Sequence, residues 1–132
     1  MIKKVIVCMK TVFVFGNRLL EKDSLAHEVA ERLRGKVKGI EFEEAESLDG
    51  IKNKEDLYIM DVCFGLQKVE TIRDISMLEV RQPVSAHDFD LAMELKLREK
   101  LGQVGNVTII AIPEGYSIGK AVSEARCELE KI

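Results

Sequence analysis

The stretch Val107-Thr108-Ile109-Ile110-Ala111-Ile112 is the strongest strand pattern in this 132-residue chain, and it decides the fold class. Leu57 to Met60 (Leu-Tyr-Ile-Met) also runs apolar without alternation, as a strand covered on both faces does. Thr11 to Phe15 (Thr-Val-Phe-Val-Phe) is β-branched and aromatic, and the turn-forming pair Gly16-Asn17 ends it. These strands predict a largely parallel sheet.

Helical spacing appears between and after these strands. Leu25, Val29, Ala30 and Leu33 predict a first helix that Asp23 or Ser24 caps and Gly35 closes. Two more helices are predicted, from His87 to Leu101 and from Gly119 to Ile132. Alternating strands and helices place the chain in the α/β class.

Two further β segments are predicted with weaker patterns. Val37 to Glu43 alternates in part and reads as a second strand. Val69 to Val80 shows two short β-like pieces around Asp74, a hairpin or two short strands, and Pro83 ends them. The predicted order is therefore β-α-β-β-(β-β)-α-β-α.

Composition favours one compact domain over residues 1–132, because 46% of the residues are hydrophobic and no Ser/Pro/Gly-rich linker divides the chain. Residues 1–8 are expected to be either a short extra strand or an N-terminal extension before Met9. The formal net charge is −3, from 20 basic and 23 acidic residues. The sequence has neither the basic excess nor the basic stripe that is typical of nucleic-acid-binding proteins.

No targeting signal or membrane segment is expected. The longest apolar run is far shorter than the ~20 residues that a membrane helix needs, and no signal-peptide cleavage pattern follows it. The three cysteines, Cys8, Cys63 and Cys127, are widely spaced, which argues against a disulfide scaffold and favours buried thiols. A cytoplasmic protein is the expectation.

Three polar residues follow the predicted apolar strands or open the helices beyond them. Asp23 follows the Gly16-Asn17 turn, Asp61 ends the Leu57 to Met60 strand, and His87 opens the helix after Pro83. Ligands of parallel α/β sheets bind beyond the carboxyl ends of the strands, so these residues are candidates to meet there. Two carboxylates and one imidazole suit a divalent transition metal such as nickel, zinc or cadmium.

Each candidate also has a structural interpretation. Asp23 is equally a helix N-cap, Asp61 a turn cap, and His87 an ordinary residue of a first helical turn. His27 lies one turn after Asp23 and could reach the same site, but an exposed helix histidine is the favoured interpretation.

Four segments carry a resemblance to a known family. They are Phe15 to Asp23 (Phe-Gly-Asn-Arg-Leu-Leu-Glu-Lys-Asp), Tyr58 to Asp61, Val84 to Leu91 (Val-Ser-Ala-His-Asp-Phe-Asp-Leu) and Ile109 to Glu114 (Ile-Ile-Ala-Ile-Pro-Glu). With these segments the chain resembles the hydrogenase maturation proteases over about residues 9 to 131. That family has a Gly-Asn-x-Leu turn leading to an acidic pair, a strand-end Asp, a Ser-x-His at a helix start and a Gly-Ile-x-Pro-Glu strand end.

The resemblance implies a three-layer α/β/α sandwich with a mostly parallel central sheet, of the phosphorylase/hydrolase-like kind. It also implies an endopeptidase that removes the C-terminal extension of a nickel-iron hydrogenase large-subunit precursor. Asp23, Asp61 and His87 take the places of the family's metal ligands, so they are the implied metal-binding and catalytic residues. Gly16 and Asn17 would shape the substrate cleft, and the nickel would come from the substrate, with zinc or cadmium as substitutes in vitro. A monomer without nucleic-acid partners or membrane insertion is expected.

The sequence departs from the family pattern in ways that leave alternatives open. Lys22 stands where the family has one of two acids. The last motif, Ala111-Ile112-Pro113-Glu114, is one residue shorter than the family's Gly-Ile-x-Pro-Glu. The main alternative is a nonproteolytic accessory protein that binds metal or a partner on the same scaffold. A flavodoxin-like nucleotide or flavin binder is a second alternative, but the single Gly16 lacks the rest of a phosphate-binding pattern.

Overall fold

The computed structural model describes residues 9–15, 24–45, 56–63, 65–73, 95–102 and 105–132. Its strands are β1 (Lys10–Val14), β2 (Ile40–Glu44), β3 (Leu57–Cys63), β4 (Glu70–Ile72) and β5 (Val107–Pro113). Its helices are α1 (Leu25–Leu33), α2 (residues 95–100) and α3 (Ile118–Glu130).

All five strands form one sheet in the order β2-β1-β3-β5-β4. The pairs β1–β2, β1–β3 and β3–β5 are parallel, and β4 runs antiparallel to β5 at one edge. The β3–β5 ladder spans seven residues, from Leu57 opposite Val107 to Cys63 opposite Pro113. The prediction of a mostly parallel α/β sheet is confirmed.

The sheet has a buried cluster on each face. On the first face, Val12, Met60 and Ile110 pack with residues of α1 and α3. On the second face, Ile59 and Ile109 pack with Leu95 of α2, among others. Helices therefore cover both faces, which gives the three expected layers.

The ends of α1 follow from local sequence. Ser24 is the N-cap residue, although its side chain makes no capping hydrogen bond. Gly35, which follows the C-cap Arg34, has a φ of 75°, a conformation that glycine adopts without steric cost. The predicted first helix and its glycine stop are confirmed.

Several predicted elements differ in extent. β1 begins one residue earlier than predicted, and β2 begins at Ile40 rather than Val37. β3 continues past Met60 to Cys63, because it pairs with β5 over its whole length. The first part of the predicted helix from His87 lies outside the described residues, whereas residues 95–100 are helical and Gly102 follows with a φ of 68°.

The predicted hairpin in the middle of the chain is only partly described. Its first piece is β4, which pairs with β5, with Ile72 opposite Ile109. Residues 74–80, which would hold the second piece, lie outside the described ranges. A long-range partner explains why local patterning could not give the pairing of β4.

No helix within the described ranges has both the length and the apolar character that crossing a lipid bilayer requires.

The fold predicts a large stability difference between two aliphatic truncations. Ile110→Ala removes a side chain that is 1% exposed in the central β5, so the free energy of unfolding should fall by about 2 to 5 kcal/mol. Leu97→Ala on α2 truncates a side chain that is 57% exposed, so the free energy of unfolding should change by less than about 0.5 kcal/mol. Urea unfolding followed by circular dichroism measures both, and equal losses would contradict the described core.

Candidate functional site

The carboxyl ends of the parallel strands β1, β2, β3 and β5 lie at one edge of the sheet. We call this the carboxyl edge. In open α/β sheets, ligands bind in the crevice outside this edge, so it is where a site is expected. The candidate residues are therefore judged by their position relative to it.

Asp61 is the candidate residue that the structure describes, and it lies near the carboxyl edge. It occupies the third-last position of β3, opposite Ala111 of β5, and is only 3% exposed. Its Oδ1 accepts a hydrogen bond of 2.8 Å from the backbone N–H of Val62. The prediction that Asp61 follows the end of the strand is wrong in detail, since β3 continues to Cys63.

The side chain of Asp61 belongs to the second face of the sheet. Side chains alternate along a strand, and Ile59 and Cys63, two residues to either side, are members of the second-face cluster. On the β1 side, the backbone N–H of Phe15 donates to the carbonyl of Met60 at 3.0 Å, which extends the β1–β3 pairing to the level of Asp61. Asp61 is thus a buried acidic side chain on the second face of the sheet, in the central strand β3.

Asp23, His87, Gly16 and Asn17, the other predicted site residues, lie outside the described residues. Within the described ranges, no group of three His, Cys, Asp or Glu side chains is arranged to hold a metal ion. The Asp23-Asp61-His87 ligand set therefore stays a prediction. Of its three members, Asp61 is the one whose position the structure describes.

His27 differs from its expected environment. It lies in the first turns of α1 and is only 6% exposed, so the favoured interpretation as an exposed histidine is wrong. Its Nδ1 lies 3.5 Å from Oε1 of Glu44, the last residue of β2. An open pocket of about 630 Å³ lies beside it along α1, between Ser24 and Arg32.

Sequence reasoning missed a polar contact at the carboxyl edge. Glu124 of α3 accepts a 3.0 Å hydrogen bond at Oε1 from the backbone N–H of Val69, and a 2.5 Å hydrogen bond at Oε2 from the Tyr116 hydroxyl. Val69 precedes β4 and Tyr116 follows β5. A glutamate on an amphipathic helix gives no local signal that it bonds to the segment before its own helix and to a loop 55 positions away.

These contacts shift two ionisation equilibria. The hydrogen bond from Tyr116, and secondarily the one from the Val69 backbone, lowers the pKa of the Glu124 carboxyl below its ordinary value. The same bond to Glu124 raises the pKa of Tyr116. Glu124 is therefore stabilised as a carboxylate and Tyr116 as a neutral hydroxyl, which are the forms that the contact needs.

The described cysteines have contrasting environments. Cys63, at the end of β3, is buried, as expected for a thiol that packs as a small hydrophobe. Cys127 on α3 is exposed, so the expectation of a buried thiol is wrong for this residue. It lies on the outer side of an amphipathic helix, whose buried positions are Ala121, Ala125 and Leu129.

No protein-family model matches the sequence, and a search of curated proteins finds no significant relative. Comparison of the structure with solved structures, in contrast, finds clear matches.

The matched structures include hydrogenase maturation proteases. The hydrogenase maturating endopeptidase HybD from Escherichia coli is 16% identical, with a TM-score of 0.67 over 92% of this chain and 90% of that chain. The [NiFe] hydrogenase maturation protease HybD from Thermococcus kodakarensis is 19% identical, with a TM-score of 0.63 over 93% of this chain and 98% of that chain. A solution structure of an endopeptidase from Escherichia coli matches with a TM-score of 0.67 at 16% identity, over 91% of this chain and 90% of that chain.

Identities this low establish the fold rather than the chemistry. The agreement nevertheless extends over nearly the full length of both chains in each comparison. This chain has the α/β fold of the hydrogenase maturation endopeptidase HybD.

Proposed function

We propose that this protein is a divergent hydrogenase maturation endopeptidase, which removes the C-terminal extension of a nickel-iron hydrogenase large-subunit precursor after nickel insertion. The observation that carries the proposal is the buried carboxylate of Asp61 close to the carboxyl edge, in a fold shared with HybD. The four sequence segments that resemble the maturation proteases support the same conclusion. The reaction would take place in the cytoplasm, with the protease as a monomer.

Asp61 has the chemistry that a metal ligand requires. A carboxylate that is 3% exposed is costly to keep ionised unless hydrogen bonds or positive charge stabilise it. The Val62 N–H provides one hydrogen bond to Oδ1, and a divalent cation at the carboxyl edge would add positive charge. Oxygen and nitrogen donors from Asp61, Asp23 and His87 would together suit nickel, and zinc or cadmium in vitro.

In the proposed mechanism, Asp23, Asp61 and His87 would bind the nickel that the precursor carries, and their oxygen and nitrogen atoms would add to the ligands that the precursor itself supplies. Cleavage would then depend on correct metal loading of the precursor. The nickel, as a Lewis acid, would polarise the scissile carbonyl or activate water for hydrolysis. Gly16 and Asn17, which the sequence predicts to form a turn after β1, would shape the substrate cleft beside it.

Metal titration tests the proposed ligand set. Isothermal calorimetry of the purified protein with Ni²⁺ and with Cd²⁺ should show about one equivalent bound, because the three donors form one site. Asp23→Ala, Asp61→Ala and His87→Ala should each weaken binding by more than about tenfold, the lower end of what loss of even a supporting residue costs. Glu41→Ala, which removes an exposed carboxylate of β2, is the control and should leave binding unchanged.

Two results would speak against this site. Binding that survives any two of the three substitutions would break the ligand set. Absence of binding to the unaltered protein would favour the nonproteolytic alternative, an accessory protein that binds a partner on the same scaffold.

Cleavage of a purified large-subunit precursor tests the activity itself. The protein should release the C-terminal peptide from nickel-loaded precursor and leave nickel-free precursor intact, as judged by mass spectrometry. Asp61→Asn keeps the shape of the side chain but removes its charge, and should slow cleavage by more than about 100-fold, since polarisation by a metal is worth several kcal/mol. Equal cleavage of loaded and nickel-free precursor, or full activity in Asp61→Asn, would refute the proposed mechanism.

A further inference from the structure

The Glu124 carboxylate connects two chain segments near the carboxyl end of β5. One leads from β3 to β4, and the other follows β5. Residues 65–69, which we call the β3–β4 loop, follow β3 and lead to β4 on the far side of β5. The loop must therefore pass over the carboxyl end of β5, because β5 lies between β3 and β4 in the sheet. Glu124 lies on α3, which follows β5, and accepts a hydrogen bond from Val69 at the end of this loop.

The β3–β4 loop contacts both faces of the sheet. Val69 is 2% exposed and belongs to the first-face cluster, whereas Leu66 packs against the second-face cluster. Gly65, with a φ of 79°, permits the turn that begins the loop. The loop thus lies across the end of β5. In sequence it follows β3, the strand that carries Asp61.

The segment after β5 is fixed to the same place by two contacts. The backbone N–H of Glu114 donates to the carbonyl of Cys63 at 3.2 Å, at the end of β3. Two residues later, the Tyr116 hydroxyl donates to Oε2 of Glu124 at 2.5 Å. One carboxylate therefore joins the segment after β5 to the β3–β4 loop, through a different oxygen for each.

We infer that Glu124 is a positioning residue, which holds the β3–β4 loop as one wall of the substrate cleft at the carboxyl edge. The inference rests on the proposed function, because the cleft is the one that would receive the precursor beside Asp61. Hydrogen bonds to an ionised carboxylate are stronger than neutral ones, so one half-buried side chain is able to fix the loop. Glu124 itself takes no part in the chemistry.

The test compares two variants of Glu124 with a control on the same helix. Glu124→Ala removes both hydrogen bonds, whereas Glu124→Gln restores them, since its amide oxygen accepts from Val69 and its amide nitrogen donates to the Tyr116 oxygen. Glu130→Ala removes an exposed carboxylate that pairs with Arg126 and is the control. Hydrogen exchange of residues 65–69 and the KM and kcat for nickel-loaded precursor are measured for each protein.

We expect Glu124→Ala to increase amide exchange in the β3–β4 loop and to raise KM by about fivefold, the equivalent of losing one net hydrogen bond of about 1 kcal/mol. The value of kcat should stay within about twofold, because the variant leaves the reacting groups in place. Glu124→Gln should bring both the loop exchange and KM most of the way back to the values of the unaltered protein. Glu130→Ala should match the unaltered protein in both. A purely structural role would lower the active fraction, and with it kcat, without raising KM.

The outcomes separate failure of this inference from failure of the proposed function. Unchanged loop exchange in Glu124→Ala, or increased exchange with unchanged KM, would overturn the role of Glu124 while cleavage by the unaltered protein stands. If the unaltered protein neither cleaves nor binds the precursor, the proposed function fails and this role fails with it. If it binds without cleaving, the dissociation constant replaces KM as the deciding measurement.

Tyr116→Phe tests the second half of the contact. It removes the hydroxyl that contributes most to lowering the pKa of Glu124, so that pKa should rise toward the ordinary value of 4.5. Because a lowered pKa stabilises the fold above the unfolded-state pKa, the stability lost as the pH falls below that value should be smaller in Tyr116→Phe than in the unaltered protein. Carbon-detected NMR titration of the Glu124 carboxyl measures the shift, and an unchanged pKa would show that the hydroxyl does not bond to it.

Discussion

The seven-residue pairing of β3 with β5 is the constraint on which the rest of the structure depends. Every residue of β5 and six of the seven in β3 are buried, so both strands lie in the interior with apolar side chains on both faces. Their backbone polar groups must be paired within the sheet, and each face must be covered by another layer. The helices α1 and α3 on one face and α2 on the other supply those layers.

Asp61 is notable because it interrupts the apolar pattern of β3. A valine or isoleucine at this position would suit a buried strand better, since a buried carboxylate costs free energy that an aliphatic side chain does not. Sequences depart from local consistency in this way mostly at functional sites. Its position near the carboxyl edge, where ligands of α/β sheets bind, supports the same interpretation. The sheet thus provides a rigid support for the group that we propose as a metal ligand.

The predictions succeeded where the physical cause was local and failed where it was distant. The apolar runs that contain Ile59 and Ile110 gave the central strands, and helical spacing with Gly35 gave α1. The pairing of β4 with β5 and the burial of His27 depend on contacts with remote segments, which no single stretch of sequence records. Glu124 has the same character, because its two partners lie 8 and 55 positions away.

The two faces of the sheet have different relations to the proposed site. Asp61 belongs to the second face, the one that Leu95 of α2 covers, and His87 precedes α2 in the chain. Asp23 instead precedes α1, which packs on the first face. A site that uses all three residues therefore requires segments from both helical layers to meet beyond the ends of β1 and β3. These two strands are adjacent in the sheet. The chain runs from β1 toward Asp23, and Asp61 itself lies on β3. Metal binding would then join the two layers across the carboxyl edge, so that loss of any one ligand should weaken the site as a whole rather than one face of it.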